Sequence, residues 1–496
     1  MQQLSGSDNI FLLNERDNVY NHVAMLLVYD VSTAPGGRVR FKDILTHFEE
    51  RIERYPLFRQ RLVPAPMGID RPYWVETDEV DVEFHIRHIA LPDPGDWRQL
   101  MIQVARLHSR PLDRNWPMWE AYVIEGLDNV PKLPKGSFAM FVKLHHALVD
   151  GVAGIHLAQQ FHTTSPEIPR RSGEGSPLVI DRAPSNVELL SRTVANSFTR
   201  AVKLGTVAKR TASLATRFAG EILGVADDGG VAGFAFPKPP DTRFDTNVSA
   251  HRVVQGFGMP ISRIKRVRSK LPGVTLNDIF LAVAGGGVRK YLVEEQDLPE
   301  DSLVALMPMA LKSSGTEGGN AVGAAMVAIR SDIDDPLDRL DAVRKEAINS
   351  KLTAEKLGTD LFDVLMDAVP GTIGNLILEK VLINSFNLTV SNVRGPDFPL
   401  YLAGAKAMCL YPVSIPTRGA GLNITGVSYN GVMWVSVVSC RKLLPDPGRF
   451  LDCMRSAWEE LLAAADALPG PESAKPVKAV KKRTRKKSKA RKKQNS

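Results

Sequence analysis

Residues 137–161 read SFAMFVKLHHALVDGVAGIHLAQQF. The run Phe138 to Leu144 is apolar throughout except for Lys143, short, and rich in aromatic and branched residues, which predicts a buried strand. It delivers His145-His146, then Asp150-Gly151, then a helical pattern with Val152, Ile155 and Phe161 on one side. Side chains alternate along an extended segment, so only one of the two histidines can face a cleft while the other packs or orients. Asp150, just ahead of a helix, can accept hydrogen bonds from the first free amides or pair with an arginine, and Gly151 allows close backbone approach.

Upstream, His22 to Tyr29 reads as a strand, Phe41 to Arg54 as a helix ending before Pro56, and Tyr73 to Val75 as extended. Val80 to Ile89 also reads as extended, through the alternation Val80, Val82, Phe84, Ile86. Trp97 to His108 is amphipathic and leads into Arg110-Pro111-Leu112-Asp113-Arg114-Asn115-Trp116-Pro117-Met118-Trp119, whose prolines and tryptophans predict a rigid crossing loop before a strand from Ala121 to Glu125. Interleaved strands and helices predict an α/β fold built in layers.

Downstream, residues 163–242 form a linker: Pro/Ser/Gly-rich to 185, basic and amphipathic from Asn186 to Leu223, then a Gly/Pro-rich break. A second α/β half follows at 243–470, after a first half at 1–162. It is expected to hold helices at Ile261 to Lys270, Asn277 to Leu292, Asp338 to Leu352 and Asp446 to Leu468. Its strands are expected at Ser302 to Met309, Val381 to Ser391 and Gly404 to Val413, with a Leu422 to Val438 hairpin turning at Asn430-Gly431. Residues 471–496 are Lys/Arg-rich with too little apolar surface to fold.

At 496 residues the chain exceeds what one core usually serves, so two domains are expected. The net charge of +8 is a property of one segment: residues 471–496 hold twelve Lys/Arg and one acid, leaving −3 on residues 1–470. The body therefore does not read as nucleic-acid-binding. Cys409, Cys440 and Cys453 lack C-x-x-C spacing, against a zinc site or disulfide framework, and fit a reducing cytoplasm. Neither a secretory signal nor a spanning run is visible.

Adjacent histidines are poor co-ligands for one metal, and the residue four beyond His146 is Asp150, so no metal is expected. A Gly-x-Ser-x-Gly elbow, a P-loop and a dinucleotide fingerprint are missing; Gly285-Gly286-Gly287 lies inside a helical pattern. Histidine as a general base is the chemistry that remains.

The His-His-x-x-x-Asp-Gly pattern at 145–151 resembles the coenzyme-A-dependent acyltransferase superfamily, which includes chloramphenicol acetyltransferases and peptide-synthetase condensation domains. Neighbouring blocks narrow the resemblance to the bacterial wax ester synthase/diacylglycerol acyltransferase family. Residues 91–127 are similar to its Pro-Leu-Asp-x-x-x-Pro-Leu-Trp block through Pro111, Leu112, Asp113, Pro117 and Trp119, with Met118 in place of Leu. Asn277-Asp278 is similar to its Asn-Asp motif, and Asn392-Val393-Arg394-Gly395-Pro396 to its Asn-Val-Pro-Gly-Pro stretch, with Arg394 in place of Pro.

The resemblance implies two chloramphenicol-acetyltransferase-like domains, each with a mixed sheet flanked by helices, and an active-site channel between them, donor thioester and acceptor hydroxyl entering from opposite ends. It implies His146 as general base, His145 and Asp150 holding the loop, and Gly151 making room for the pantetheine arm or helix packing. Asn277 is the candidate oxyanion donor, against the alternative that it caps a helix beginning at Asp278. Acyl-CoA is then a co-substrate, with no resident cofactor, and diacylglycerol or a long-chain alcohol is the acceptor. The basic linker and the segment 471–496 suit an anionic membrane or lipid-droplet surface, implying a cytoplasmic, peripherally associated enzyme. Two other readings stay open: a carrier-protein-dependent acyltransferase, and a noncatalytic lipid-droplet-binding protein.

Overall fold

A computed structural model describes residues 1–469 except 17, 69, 78–79, 169–183, 197–238, 311–321 and 358–384. Linker residues 169–183 and 197–238, the expected strand residues 381–384 and the segment 471–496 lie outside the described residues.

Two six-stranded mixed sheets carry the fold. In the first, β2 (His22–Asp30) and β6 (Trp119–Glu125) run antiparallel on either side of β7 (Phe138–His145), and β5 (Ile86–Ala90) pairs in parallel with β6. The other neighbour of β2 comes from the far end of the chain: β13 (Ala405–Val413) pairs with it antiparallel and carries β12 (Tyr401–Leu402) at the edge. Residues 401–413 thus belong to the first sheet although they lie well inside the second half of the sequence.

The second sheet runs β10 (Val322–Ala328), β9 (Val304–Ala310), β11 (Leu388–Arg394), β14 (Leu422–Tyr429), β15 (Val432–Cys440) and β8 (Arg252–Pro260). Its hairpin turns at Asn430 and Gly431, both with positive φ (45° and 80°), the geometry that an Asn-Gly pair supplies. A small sheet of β1 (Gln2–Gln3), β4 (Tyr73–Glu76) and β3 (Gln60–Val63) sits apart.

The helices are α1 (Gly6–Leu13), α2 (Phe41–Ile52), the single turn α3 (Val82–His85), α4 (Trp97–His108), α5 (Gly151–Gln160), α6 (186–196), α7 (Ile261–Lys270), α8 (Leu276–Glu294), α9 (Pro336–Leu357) and α10 (Pro447–Ala467). Helix α8 is apolar on nearly every side because it is a core helix. A β-carbon at Gly285 would lie 2.0 Å from the Ile329 carbonyl oxygen, and one at Gly287 2.3 Å from Met454 Sδ. The glycine triplet is therefore a packing device that lets α8 press against its neighbours.

Three expectations are corrected. Val80 to Ile89 is not one strand: the Asp81 side chain accepts the Phe84 amide (3.0 Å) and winds α3 before β5 begins. Val152 does not share the inner face of α5, being 47% exposed while Ile155 and Phe161 are buried. Asn277 does not cap α8. Thr275 does, its hydroxyl accepting the Asp278 amide (3.1 Å) while the Asp278 carboxylate accepts the Thr275 amide (2.8 Å), a reciprocal box that starts the helix at Leu276.

Candidate active site

Strand β7 ends at His145 because the chain turns there, with the Leu148 amide donating to the His145 carbonyl (2.9 Å). Asp150 then caps α5 by accepting the Ala153 amide at 2.7 Å, an interaction of about 1 kcal/mol. Among the described residues no arginine is ion-paired with Asp150, so of its two expected roles the cap is the one observed.

The two histidines are held differently. His145 is buried, and both its ring nitrogens are engaged: the Ala147 amide donates to Nδ1 (3.1 Å), which places the proton on Nε2, and Nε2 donates to Glu15 Oε1 (3.2 Å). His146 is half-buried; its amide donates to the Asn21 carbonyl (2.8 Å), and its ring stacks on Phe11 with centroids 4.1 Å apart and planes 14° off parallel. Nδ1 of His146 is enclosed without a hydrogen-bond partner, whereas Nε2 is not buried and makes no hydrogen bond within the protein. Burial pushes its imidazole down to about 4, against the opposing pull of its own backbone and, more weakly, of the Asp150 charge, so the ring is neutral at physiological pH with Nε2 free to accept a proton.

Glu15 is the hub behind this loop. It accepts from His145, from the Asn21 amide at 2.6 Å and from Arg114 Nη2 at 2.6 Å, and Arg114 also reaches the Leu12 carbonyl (3.2 Å). Burial alone would raise the Glu15 carboxyl, but these donors outweigh it and hold the group below the ordinary carboxylate range. Two residues before His145, the fully buried Lys143 pairs with Glu120 (3.2 Å) and donates to the carbonyls of Leu107 (3.3 Å) and Arg110 (3.0 Å). It thereby ties the end of α4 and the start of the 111–119 crossing to β7.

That crossing is structural. Leu112 and Met118 are buried with Leu4, Leu12 and Ala147; Pro117 is buried, Pro111 exposed, and Trp119 donates its indole N–H to the Phe58 carbonyl (2.9 Å). The Met118 carbonyl accepts the His145 amide (3.0 Å), so the block reaches the histidines through its backbone.

From the second half, β11 approaches the loop. A β-carbon on Gly151 would stand 3.1 Å from Val393 Cγ2, so α5 begins directly against the Asn392-Val393 stretch. Gly395 donates its amide to Ser428 Oγ (3.1 Å), and a β-carbon there would come within 2.3 Å of the Ser428 carbonyl oxygen. Asn392 is half-buried on β11 opposite Gly426. Asn277, half-buried in the first turn of α8, donates its amide to Met307 Sδ (3.2 Å), and α8 packs on the same β11. The strand Leu388–Arg394 is thus shared ground for the helices that begin with Gly151 and with Leu276, while no bond links Asn277 to either histidine.

Glu15, Phe11, Asn21, Arg114 and Lys143 escaped the sequence reading. Arg114 lies in the recognised Pro-Leu-Asp block, but its partner is a lone acid about a hundred residues away, a pairing with no local signal. Among the described residues no group of His, Cys, Asp and Glu is arranged to hold a metal, and no helix is long and apolar enough to cross a membrane.

Two mixed sheets with paired histidines at the end of a central strand define the two-lobed α/β class that also contains condensation domains. The chain is similar in fold to the starter condensation domain of rhizomide synthetase (TM-score 0.53, 12% identity, 95% of each chain covered) and to the first condensation domain of the calcium-dependent antibiotic synthetase (TM-score 0.55, 13% identity, 94% and 97%). Closer relatives narrow the class. The wax ester synthase/diacylglycerol acyltransferase catalytic-domain family matches residues 4–280, and the corresponding C-terminal-domain family matches residues 318–462. The wax ester synthase/diacylglycerol acyltransferase from Marinobacter aquaeolei VT8 has a similar structure, with TM-score 0.66 and 27% identity over 94% of this chain and all of that one. A Mycobacterium tuberculosis H37Rv protein named as a diacylglycerol O-acyltransferase is 32% identical over 481 residues, covering 95% of this chain and 92% of its own. The chain belongs to the wax ester synthase/diacylglycerol acyltransferase family and is an acyltransferase.

Proposed function

We propose that this enzyme transfers a long-chain fatty acyl group from acyl-CoA to diacylglycerol, a long-chain alcohol or both, with His146 as the general base. The observation that carries the assignment is the asymmetry of the histidine pair: His145 has both nitrogens occupied, while His146 has a neutral ring with Nε2 open. Nε2 takes the acceptor hydroxyl proton as the oxygen attacks the thioester carbonyl; collapse of the tetrahedral intermediate breaks the C–S bond, and the same proton passes to the departing CoA thiolate. The products are an ester and free CoA, with no acyl-enzyme. His145, Asp150 and Gly151 hold the loop, and Asn277 is proposed as the donor to the developing oxyanion.

Association with an anionic membrane or droplet surface is part of the same reading. It is supported by the net +11 of residues 471–496 and by the described start of the basic linker, where Leu189 and Thr193 are buried while Val187, Leu190 and Val194 are exposed. Each lysine or arginine close to such a surface adds about 1 kcal/mol, weakened by salt.

Purified protein incubated with a long-chain acyl-CoA and each acceptor should release free thiol and neutral lipid in equal amounts. His146→Ala should lower the rate by at least about 100-fold with its melting temperature retained. A fully active His146→Ala enzyme, or no product from either acceptor, rejects the proposal; turnover only with a carrier-bound acyl group transfers it to the carrier-dependent reading.

A further inference from the structure

A general base must present one nitrogen along a fixed line, and a histidine is usually oriented by the hydrogen bond its other nitrogen makes. His146 has no such bond to another residue: its Nδ1 is enclosed with no partner beyond its own backbone. Its ring instead lies flat on Phe11, centroids 4.1 Å apart.

Phe11 is well placed to act as a platform. Helix α1 is capped by Ser5, whose hydroxyl accepts the Asp8 amide (3.0 Å), and is anchored through the buried Ile10 and Leu12. The Phe11 carbonyl accepts the Asn21 side-chain amide (2.7 Å), and the carbonyl of the same Asn21, buried to 2% exposure, accepts the His146 amide. Ring and backbone of His146 are therefore both referred to α1, the ring by stacking and the backbone through Asn21. Glu15 extends the arrangement by gripping His145 and the Asn21 amide from the loop that leaves α1.

We propose that Phe11 is a positioning residue for catalysis: its ring, stacked on the His146 imidazole, takes the place of the missing hydrogen bond and aims Nε2 at the acceptor hydroxyl. The inference rests on His146 being the base. The other groups facing the imidazole are Asp150, whose charge favours the protonated ring, and His145, whose charge when protonated opposes it. Phe11 adds the apolar cover that disfavours the charged form. Removing the ring therefore has two linked effects: the imidazole rotates more freely, and water reaches Nδ1.

The test compares Phe11→Leu and Phe11→Ala with Phe11→Tyr, which keeps an aromatic face. For each, kcat and KM for acyl-CoA are measured across pH, and the His146 titration is followed by NMR of histidine-labelled protein, its resonance identified by absence from His146→Ala. For Phe11→Leu we expect kcat to fall roughly 10- to 100-fold at pH 7.5, KM to stay within about twofold, and both the acid limb of kcat and the His146 midpoint to rise from about 4 towards 6.5. Phe11→Tyr should restore both readouts. If Phe11→Leu and Phe11→Ala, folded by their melting temperatures, keep the wild-type kcat and the wild-type His146 midpoint, the positioning role is wrong while the base assignment stands. If the His146 midpoint moves and the acid limb of kcat does not follow, His146 is not the base and the inference fails with that assignment.

Discussion

Replacing Glu15 with glutamine keeps the shape of the hub and removes its charge. In the wild type Oε1 accepts from Asn21 N (2.6 Å) and His145 Nε2 (3.2 Å), while Oε2 accepts from Arg114 Nη2 (2.6 Å). An amide offers one carbonyl oxygen, so in the Glu15→Gln variant the NH2 must face either Arg114 or the Asn21 and His145 donors. At least one hydrogen bond to a charged acceptor is lost and a donor meets a donor, which costs about 2–3 kcal/mol. For a unit of 150–250 residues this corresponds to roughly 2–4 °C per kcal/mol, so the first thermal transition should fall by about 5 °C or more at pH 7.5. The sign of the pH dependence follows from the direction of the Glu15 shift. Its carboxyl is depressed in the fold, so its stabilisation is fully present above the ordinary carboxylate value and disappears as pH falls through the lower folded value. The gap between wild type and Glu15→Gln should therefore be constant from pH 8 to about 5 and close at more acid pH. Differential scanning calorimetry at stepped pH reads both features. A variant melting within about 1 °C of wild type at pH 7.5, or a gap unchanged after the carboxylate is protonated, refutes the hub.

The buried histidines predict acid lability in a separate window: burial lowers His22, His85 and His108, and takes His47, His146 and His162 to about 4. The unfolded chain takes up protons below about 6.5 that the fold refuses, so stability holds above that pH and falls by up to about 1.4 kcal/mol per unit for each of His47, His146 and His162 on the way down to about 4, with His22, His85 and His108 acting in the same direction, read as a drop in melting temperature between pH 7 and 5. Gly285→Ala forces a methyl to within 2.0 Å of the rigid Ile329 carbonyl, and should cost more than about 3 kcal/mol or abolish soluble expression; a normal melting curve would contradict the packing of α8. Asn277→Ala leaves the Thr275–Asp278 box intact, so the fold should hold while kcat drops on the order of 100-fold if Asn277 serves the oxyanion; a wild-type kcat removes it from that role.

Local periodicity made most elements legible: β2, β7, α4, the Asn430-Gly431 hairpin and α10 lie where their patterns place them. The failures have local causes too. The alternation of Val80, Val82, Phe84 and Ile86 lost to the Asp81 side chain, and Thr275-Leu276-Asn277-Asp278 carries a readable capping pattern that starting the helix at Asn277 overlooked. The site divides along the same line. His145 to Gly151 was legible because strand, turn and cap are contiguous, whereas Phe11 and Glu15 reach the histidines across about 130 residues, a proximity that only tertiary packing creates.

The placement of β13 also constrains how substrates enter. From Lys406 opposite Asp30 to Val413 opposite Ala24 this strand is paired into the first sheet, while β14, a few residues later, lies in the centre of the second. Swinging the halves apart as rigid bodies would break that ladder or pull the connection at 414–421 taut, at about 0.5–1.5 kcal/mol for each backbone bond broken. Gly151 against Val393 adds a contact without slack beside the histidine loop. Any opening beside the histidine loop must therefore come from segments outside both ladders. Helix α1 is one such segment: it reaches the core through Leu12, and its Phe11 covers the proposed base. If α1 positions His146 as proposed, the ring that aims the base also covers it, so substitutions that loosen α1 should alter kcat and the preference for bulky acceptors together.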